Sequence, residues 1–305
     1  MGYIPSINIE HNKFSDFRYI VTENAKLVVS GIINGYNAGH HSFTIIGTYG
    51  TGKSSFILAF EQDLKSNSKH LIQDKTVLSK SQEFEFLNIV GDYTSLDKLL
   101  ADKLKCEKTN SIDALNWFYS DIKKKNKFLV IVVDEFGKVL EHAANNNPEK
   151  ELFFLQKLAE FVNVPTRNIL LITTLHQNFG SYAVKLSESQ RNEWLKVKGR
   201  FEEIIFAEPI EQLLYLTSNH IDGKDKVLSL RSFETLYNLG RNCKFYTDSF
   251  SCDIAKKLFP LDPISAICLT IAIQRYGQNE RTLFSILSSK RDDSISSFEP
   301  KEIET

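Results

Sequence analysis

The chain has 305 residues, 42% of them hydrophobic, and its 37 basic and 38 acidic side chains leave a formal net charge of -1. At about 150 residues per domain this bounds the protein at two domains, or one large domain with a lid. The even balance excludes a global basic field for nucleic acid, so any such contact would need a local patch. Cys106, Cys243, Cys252 and Cys268 show neither C-x-x-C nor Cys/His ligand spacing. That argues for reduced thiols in a cytoplasmic protein over disulfides or zinc. Met1 to Pro5 lacks the pattern of a signal peptide, and no uninterrupted apolar run reaches about 18 residues, so no membrane partner is expected.

From Thr22 to Tyr36, Ala25, Val28, Val29, Ile32 and Ile33 recur at helical spacing, with Thr22 or Asn24 available as a cap. Ser42 to Ile46 reads as a buried strand, and Lys53 to Lys65 as a helix with Phe56, Ile57, Ala59 and Phe60 inward. A strand at 85–90 follows, then helices at 95–103 and 112–124, the latter with Leu115, Trp117 and Phe118 on its buried side. The run Lys123-Lys124-Lys125-Asn126-Lys127 reads as a solvated helix end, where cations are favoured, before it reads as a nucleic-acid patch. Phe128 to Val133 is continuously apolar and β-branched, as a central parallel strand covered on both faces should be. Asn145 to Pro148 is a loop opening a helix whose inner face is marked by Leu152, Phe153, Leu155, Leu158 and Phe161, and Ile169 to Thr173 is another buried strand. Beyond Pro209 the pattern is purely helical, near 210–221, 232–239, 253–258, 263–275 and 279–288. The expected architecture is an α/β doubly wound parallel sheet of the P-loop NTPase class over 1–208, a C-terminal all-α lid over 209–290, and a flexible tail over 291–305.

Gly47-Thr48-Tyr49-Gly50-Thr51-Gly52-Lys53-Ser54 fits G-x-x-x-x-G-K-[ST] without a mismatch, between the expected strand and helix, with Ser55 just inside that helix. Glycines let the backbone curl so that successive N–H groups face phosphate oxygens. Lys53 neutralises phosphate charge, Ser54 offers its hydroxyl to Mg²⁺, and the helix aims its positive end at the anion. Asp134 and Glu135 end the apolar strand, where sheet ligands gather. A carboxylate there is costly unless it has work: Asp134 to hold Mg²⁺, Glu135 to polarise the attacking water as general base. Asp134-Glu135-Phe136-Gly137 also satisfies the D-x-x-G of a GTPase, yet neither Asn12-Lys13 nor Asn126-Lys127 continues into N-K-x-D. That argues against GTP.

These motifs, in this order, resemble those of the AAA+ ATPases, most closely the origin-recognition and STAND-like branch. Three later marks extend the resemblance. His176, or failing it Thr174, falls at the sensor-1 position and would meet the γ-phosphate or the attacking water. Lys198-Gly199-Arg200-Phe201-Glu202 is similar to the family's G-R-F-[DE] segment, which implies Arg200 as a finger into a neighbouring subunit's site. Gln278-Asn279-Glu280-Arg281 opens the last lid helix as sensor 2 does, which implies Arg281 reaching back to the phosphates. The resemblance implies ATP as the nucleotide, with Phe17 to Ile20 as candidates to cover its adenine, and a homo-oligomer driving a protein partner that carries an effector activity. The phrasing at Pro260 to Pro263 and Gln278 to Arg281 is similar to ATPases of bacterial antiphage systems. Three functions stay open on the residues: an ATP hydrolase, a nucleotide-gated oligomerisation switch with little turnover, and a small-molecule kinase.

Overall fold

The computed structural model describes residues 9–10, 19–66, 71–72, 78, 83–106, 110–208, 210–218, 230–247, 250–258 and 261–276. They fall into two compact units, one within 7–48 and 52–207, the other from 208 onward together with the loop tip 49–51.

In the first unit, helix α1 (Glu23–Asn37) starts where Thr22 Oγ1 accepts from the Ala25 N–H at 3.0 Å. Strand β1 (Ser42–Ile46) follows, then α2 (Lys53–Lys65), β2 (Phe84–Val90), α3 (Leu96–Leu104), α4 (Ser111–Lys124) and β3 (Phe128–Asp134). Next come α5 (Phe136–Asn145), α6 (Pro148–Val162), β4 (Ile169–Leu175), a 3₁₀ turn (Phe179–Ala183), α7 (Glu188–Lys198) and β5 (Glu202–Ile205). The five strands form one all-parallel sheet in the order β2-β3-β4-β1-β5. Alternate residues of β3 feed different cores: Leu129, Ile131 and Val133 join the side chains of α3 to α7, while Phe128, Val130 and Val132 join those of α1 and α2. Each fully buried side chain there, such as Phe43, Phe56, Phe60 or Phe136, contributes about 1.5–3 kcal/mol. This is the expected P-loop α/β fold, and its strand order seats β4 between β1 and β3. Whatever ends β4 therefore lies between the loop after β1 and the acidic tip of β3.

Two inner faces differ from expectation. Trp117 is 66% exposed, because the buried stripe of α4 runs through Ser111, Ala114, Leu115, Tyr119 and Ile122, leaving position 117 outside. Phe153 is 60% exposed and lies under the Lys157 ammonium, while Phe154 turns inward instead. Helix α5, the 3₁₀ turn, α7 and β5 have no counterpart among the predicted elements. The lysine run is a solvated helix end, with Lys125 paired to Asp121 and Lys127 to Glu83 and Glu85.

The second unit is helical among its described residues: α8 (Ile210–Ser218), α9 (Leu230–Asn242), α10 (Cys252–Lys257) and α11 (Pro263–Tyr276). Its core gathers Leu214, Phe233, Tyr237, Tyr246, Phe250, Leu258 and Ile267, with the Tyr237 hydroxyl donating to the Phe250 carbonyl at 2.7 Å. Helix 279–288, Arg281 and the tail from 291 lie outside the described residues. Among the described residues no helix is long and apolar enough to cross a membrane.

Candidate functional site

The phosphate-loop sequence leaves β1 where the Gly47 N–H donates to the Leu175 carbonyl of β4 at 3.0 Å. Gly50 and Gly52 adopt left-handed backbone, φ 73° and 88°, which only glycine enters without steric cost. Gly52 is also the N-cap of α2, and no side chain caps that end. The N–H groups of the first turn thus present their donors and partial positive charge at the loop. Lys53 Nζ donates to the Gly47 and Thr48 carbonyls at 2.5 and 2.9 Å, and burial pushes its pKa down to about 8 against the opposing pull of Asp134 and Glu135.

Across the sheet, the Asp134 carboxylate is only 4% exposed and is met on both oxygens. Ser54 Oγ donates to Oδ2 at 2.7 Å, Thr174 Oγ1 donates to Oδ1 at 2.5 Å, and the Glu135 N–H reaches Oδ1 at 3.1 Å. The hydroxyl and carboxylate that sequence reading assigned to Mg²⁺ are therefore in direct contact, although eighty positions separate them. Hard oxygen donors of this kind suit Mg²⁺. Among the described residues no group of three or more His, Cys, Asp and Glu could hold a metal by itself. Such an ion would complete its shell with phosphate oxygens and water.

Glu135 follows in left-handed backbone, φ 53° and ψ 35°, a conformation that costs a non-glycine residue about 1–2 kcal/mol. Its N–H is fixed by Thr174 Oγ1 at 3.0 Å as well as by Asp134. The side chain, 47% exposed, forms an ion pair with Lys138 one turn into α5. Thr174, buried at the end of β4, thus donates to Asp134 and accepts from Glu135. Replacing it with valine is expected to strip a partner from both and cost about 1–3 kcal/mol, read as a lower urea midpoint.

His176 sits just past β4, half-buried, with Nδ1 3.1 Å from the Tyr182 hydroxyl. Burial first, and the Lys53 charge second, hold its imidazole below the usual pKa, so it is neutral at pH 7. The two sensor candidates thus have different partners, Thr174 the acidic pair and His176 the Tyr182 hydroxyl. Arg200 is not brought to this site. It precedes β5 at the opposite end of the strands, where its guanidinium donates to Glu160 at 2.9 Å and its carbonyl accepts from Asn163. Ser55 lies in the first turn of α2, partly buried. Phe17 lies outside the described residues, while Tyr19 packs against the α1 and α2 core. Lys138 and Tyr182 escaped sequence reading because neither stands in a recognisable spacing.

No protein-family model matches the chain, and no curated protein matches it. Among solved structures it is similar to the Aeropyrum pernix ORC2 protein in ADPNP–ADP complexes, with 14% identity, 82% of this chain against 63% of that one, and a TM-score of 0.48. It is also similar to Cdc6p from Pyrobaculum aerophilum, at 16% identity over 68% of this chain and 52% of that one, with a TM-score of 0.39. A third is the Aeropyrum pernix ORC1 protein in complex with DNA, at 12% identity over 90% of this chain and 66% of that one, with a TM-score of 0.44. The chain spans 63% of the length of the ORC2 protein and 52% of Cdc6p.

Proposed function

We propose that the chain is a Mg²⁺-dependent ATPase of AAA+ type, with an ATPase domain over 1–208, a helical lid over 209–290 and a tail over 291–305, whose turnover moves a partner or an assembly. The observation that carries this reading is the 2.7 Å contact between Ser54 Oγ and Asp134 Oδ2, beside Lys53 and the uncapped start of α2. Backbone N–H groups from Thr48 to Ser55 hold the triphosphate while the Gly47 N–H stays on Leu175, Lys53 offsets the charge, and Ser54 with Asp134 holds the metal. The bound ion supplies Lewis-acid stabilisation of charge on the phosphoryl oxygens. Glu135 takes a proton from the attacking water, and Thr174 keeps Asp134 and the Glu135 backbone in place while it does so. The motif order supports ATP over GTP, a homo-oligomer in which Arg200 leaves Glu160 to complete a neighbour's site, and Arg281 reporting from the lid. The lid phrasing supports a partner with effector activity in antiphage defence, in the cytoplasm.

A second reading, the nucleotide-gated switch, is favoured by one contact: Lys138 engages the carboxylate that hydrolysis needs. Phosphate release from ATP and GTP, by wild type, Glu135→Gln and Lys138→Met across protein concentrations, separates the two. For the ATPase, Glu135→Gln lowers release from ATP by about 10²-fold or more. Lys138→Met raises it several-fold, and specific activity climbs with concentration. Unchanged release in Glu135→Gln, with assembly lost in Lys53→Ala, establishes the switch instead.

A further inference from the structure

The glycine of Asp134-Glu135-Phe136-Gly137 is left unexplained by phosphate chemistry, and the structure gives it a different task. Gly137 lies in the first turn of α5, where a Cβ would fall inside contact distance of the Tyr182 hydroxyl and 3.1 Å from His176 Cε1. Any other residue would push those two side chains away.

Tyr182 is anchored from its own side. Its 3₁₀ turn is capped by Asn178, whose Oδ1 accepts from the Ser181 N–H at 3.0 Å, and Trp194 of α7 donates its indole N–H to the Phe179 carbonyl at 2.9 Å. Trp194 is fully buried, and Phe179 packs against both Phe136 and Phe201. The tyrosine ring is only 6% exposed, so its hydroxyl needs a protein partner, and it lies 3.1 Å from His176 Nδ1 and 3.4 Å from Nε2 with the rings near perpendicular. With both ring nitrogens at nearly the same distance, the hydroxyl holds the ring in place and does not choose which nitrogen carries the proton. His176 follows directly on Leu175, whose carbonyl accepts from the Gly47 N–H at the start of the phosphate loop at 3.0 Å.

We propose that Tyr182 is a positioning residue for ATP hydrolysis: its hydroxyl fixes the position and plane of the His176 ring beside the phosphate loop, and Gly137 is the gap this contact requires. The proposal rests on the ATPase reading above. It makes α7, through Trp194 and the 3₁₀ turn, part of the support of the site.

The test uses the full chain with ¹⁵N-labelled histidine, in wild type, Tyr182→Phe, His176→Gln, the double variant and Gly137→Ala. Tyr182→Phe keeps the ring and removes only the hydroxyl. Its kcat should fall about tenfold while the Kd for ATP stays within about twofold, because a positioning group acts in the transition state more than in binding. The His176 ring resonances, identified by their loss in His176→Gln, should shift and broaden in Tyr182→Phe as the ring loses its hold. The double variant should be no slower than His176→Gln alone, since the positioning role runs through that ring. Gly137→Ala should reproduce the loss. Unchanged kcat in Tyr182→Phe, or losses that multiply in the double variant, overturns the proposal. So does an early-melting Tyr182→Phe in which kcat and Kd change together, which marks a purely structural tyrosine. A wild type that binds ATP and releases no phosphate sinks the ATPase reading by itself; the ring spectrum with ATP and Mg²⁺ bound then decides, and His176 resonances indifferent to Tyr182→Phe reject the positioning role. Absence of ATP binding ends both.

Discussion

Asp134→Asn is expected to leave the fold standing and to remove about 10³-fold of the ATP turnover, because the substitution can satisfy every neighbour except a cation. The carboxylate receives two donors on Oδ1, the Thr174 hydroxyl and the Glu135 N–H, and one on Oδ2, the Ser54 hydroxyl. An asparagine must therefore put its oxygen at the Oδ1 position, since its NH₂ there would face an N–H that can only donate. That leaves the NH₂ against Ser54, whose hydroxyl rotates to accept. The hydrogen-bond count is conserved, so stability should change by no more than about 1 kcal/mol. What disappears is the negative charge on the side where Mg²⁺ would be held, and with it the electrostatic stabilisation that such sites supply in the transition state. Phosphate release against Mg²⁺ concentration, beside a thermal melt without nucleotide, reads both halves. Full turnover in Asp134→Asn would remove this carboxylate from the metal site. An early melt with lost turnover would show that its work is structural.

That prediction uses a contact only partly visible in the linear sequence. The residue types of Ser54 and Asp134 and their place after apolar strands were legible, because phosphate and metal chemistry narrow the choice of side chain, and the structure joins them. Thr174 is legible only as a stand-in for His176, since the sequence marks β4 only as far as Thr173. The strand runs on to Leu175, which places Thr174 within it, beside the tip of β3. Helix α5 carries Phe136, Val139, Leu140 and Ala143 at helical spacing, a signal hidden behind the acidic pair that opens it. β5 is short and begins with two glutamates, so its apolar content is too slight to mark a strand without its β1 partner. Trp117 and Phe153 depart from expectation for a common reason: apolar type does not by itself mean burial, because the angle around each helix decides, and both lie off the stripe of their buried neighbours. Arg200 was legible as a motif, but its partner Glu160 is supplied by α6, which only the folded chain brings near.

Lys53 makes the second large effect, and it depends on pH. Its pKa of about 8, well below the ordinary 10.5, comes from burial outweighing the attraction of Asp134 and Glu135. Phosphate oxygens favour the cation, so the pKa with ATP bound lies higher than in the free chain. Below about pH 8 the lysine is already charged, and ATP affinity should not vary with its titration. As pH rises through that value, binding must take up a proton, and the Kd for ATP should climb by about tenfold per pH unit until the bound pKa is reached. The stability of the free chain should move the other way. The unfolded lysine keeps its proton to higher pH than the folded one, so this group's contribution to unfolding free energy increases between about pH 8 and 10.5. Calorimetric titration with ATP at pH 7 and 9, in buffers of different ionisation heat, reports the proton taken up. Lys53→Met should bind weakly at both values with no uptake. A wild-type affinity flat from pH 7 to 9 would mean that Lys53 keeps its ordinary pKa, and that the loop grips its anion by backbone N–H groups and helix α2 more than by a lysine desolvated in advance.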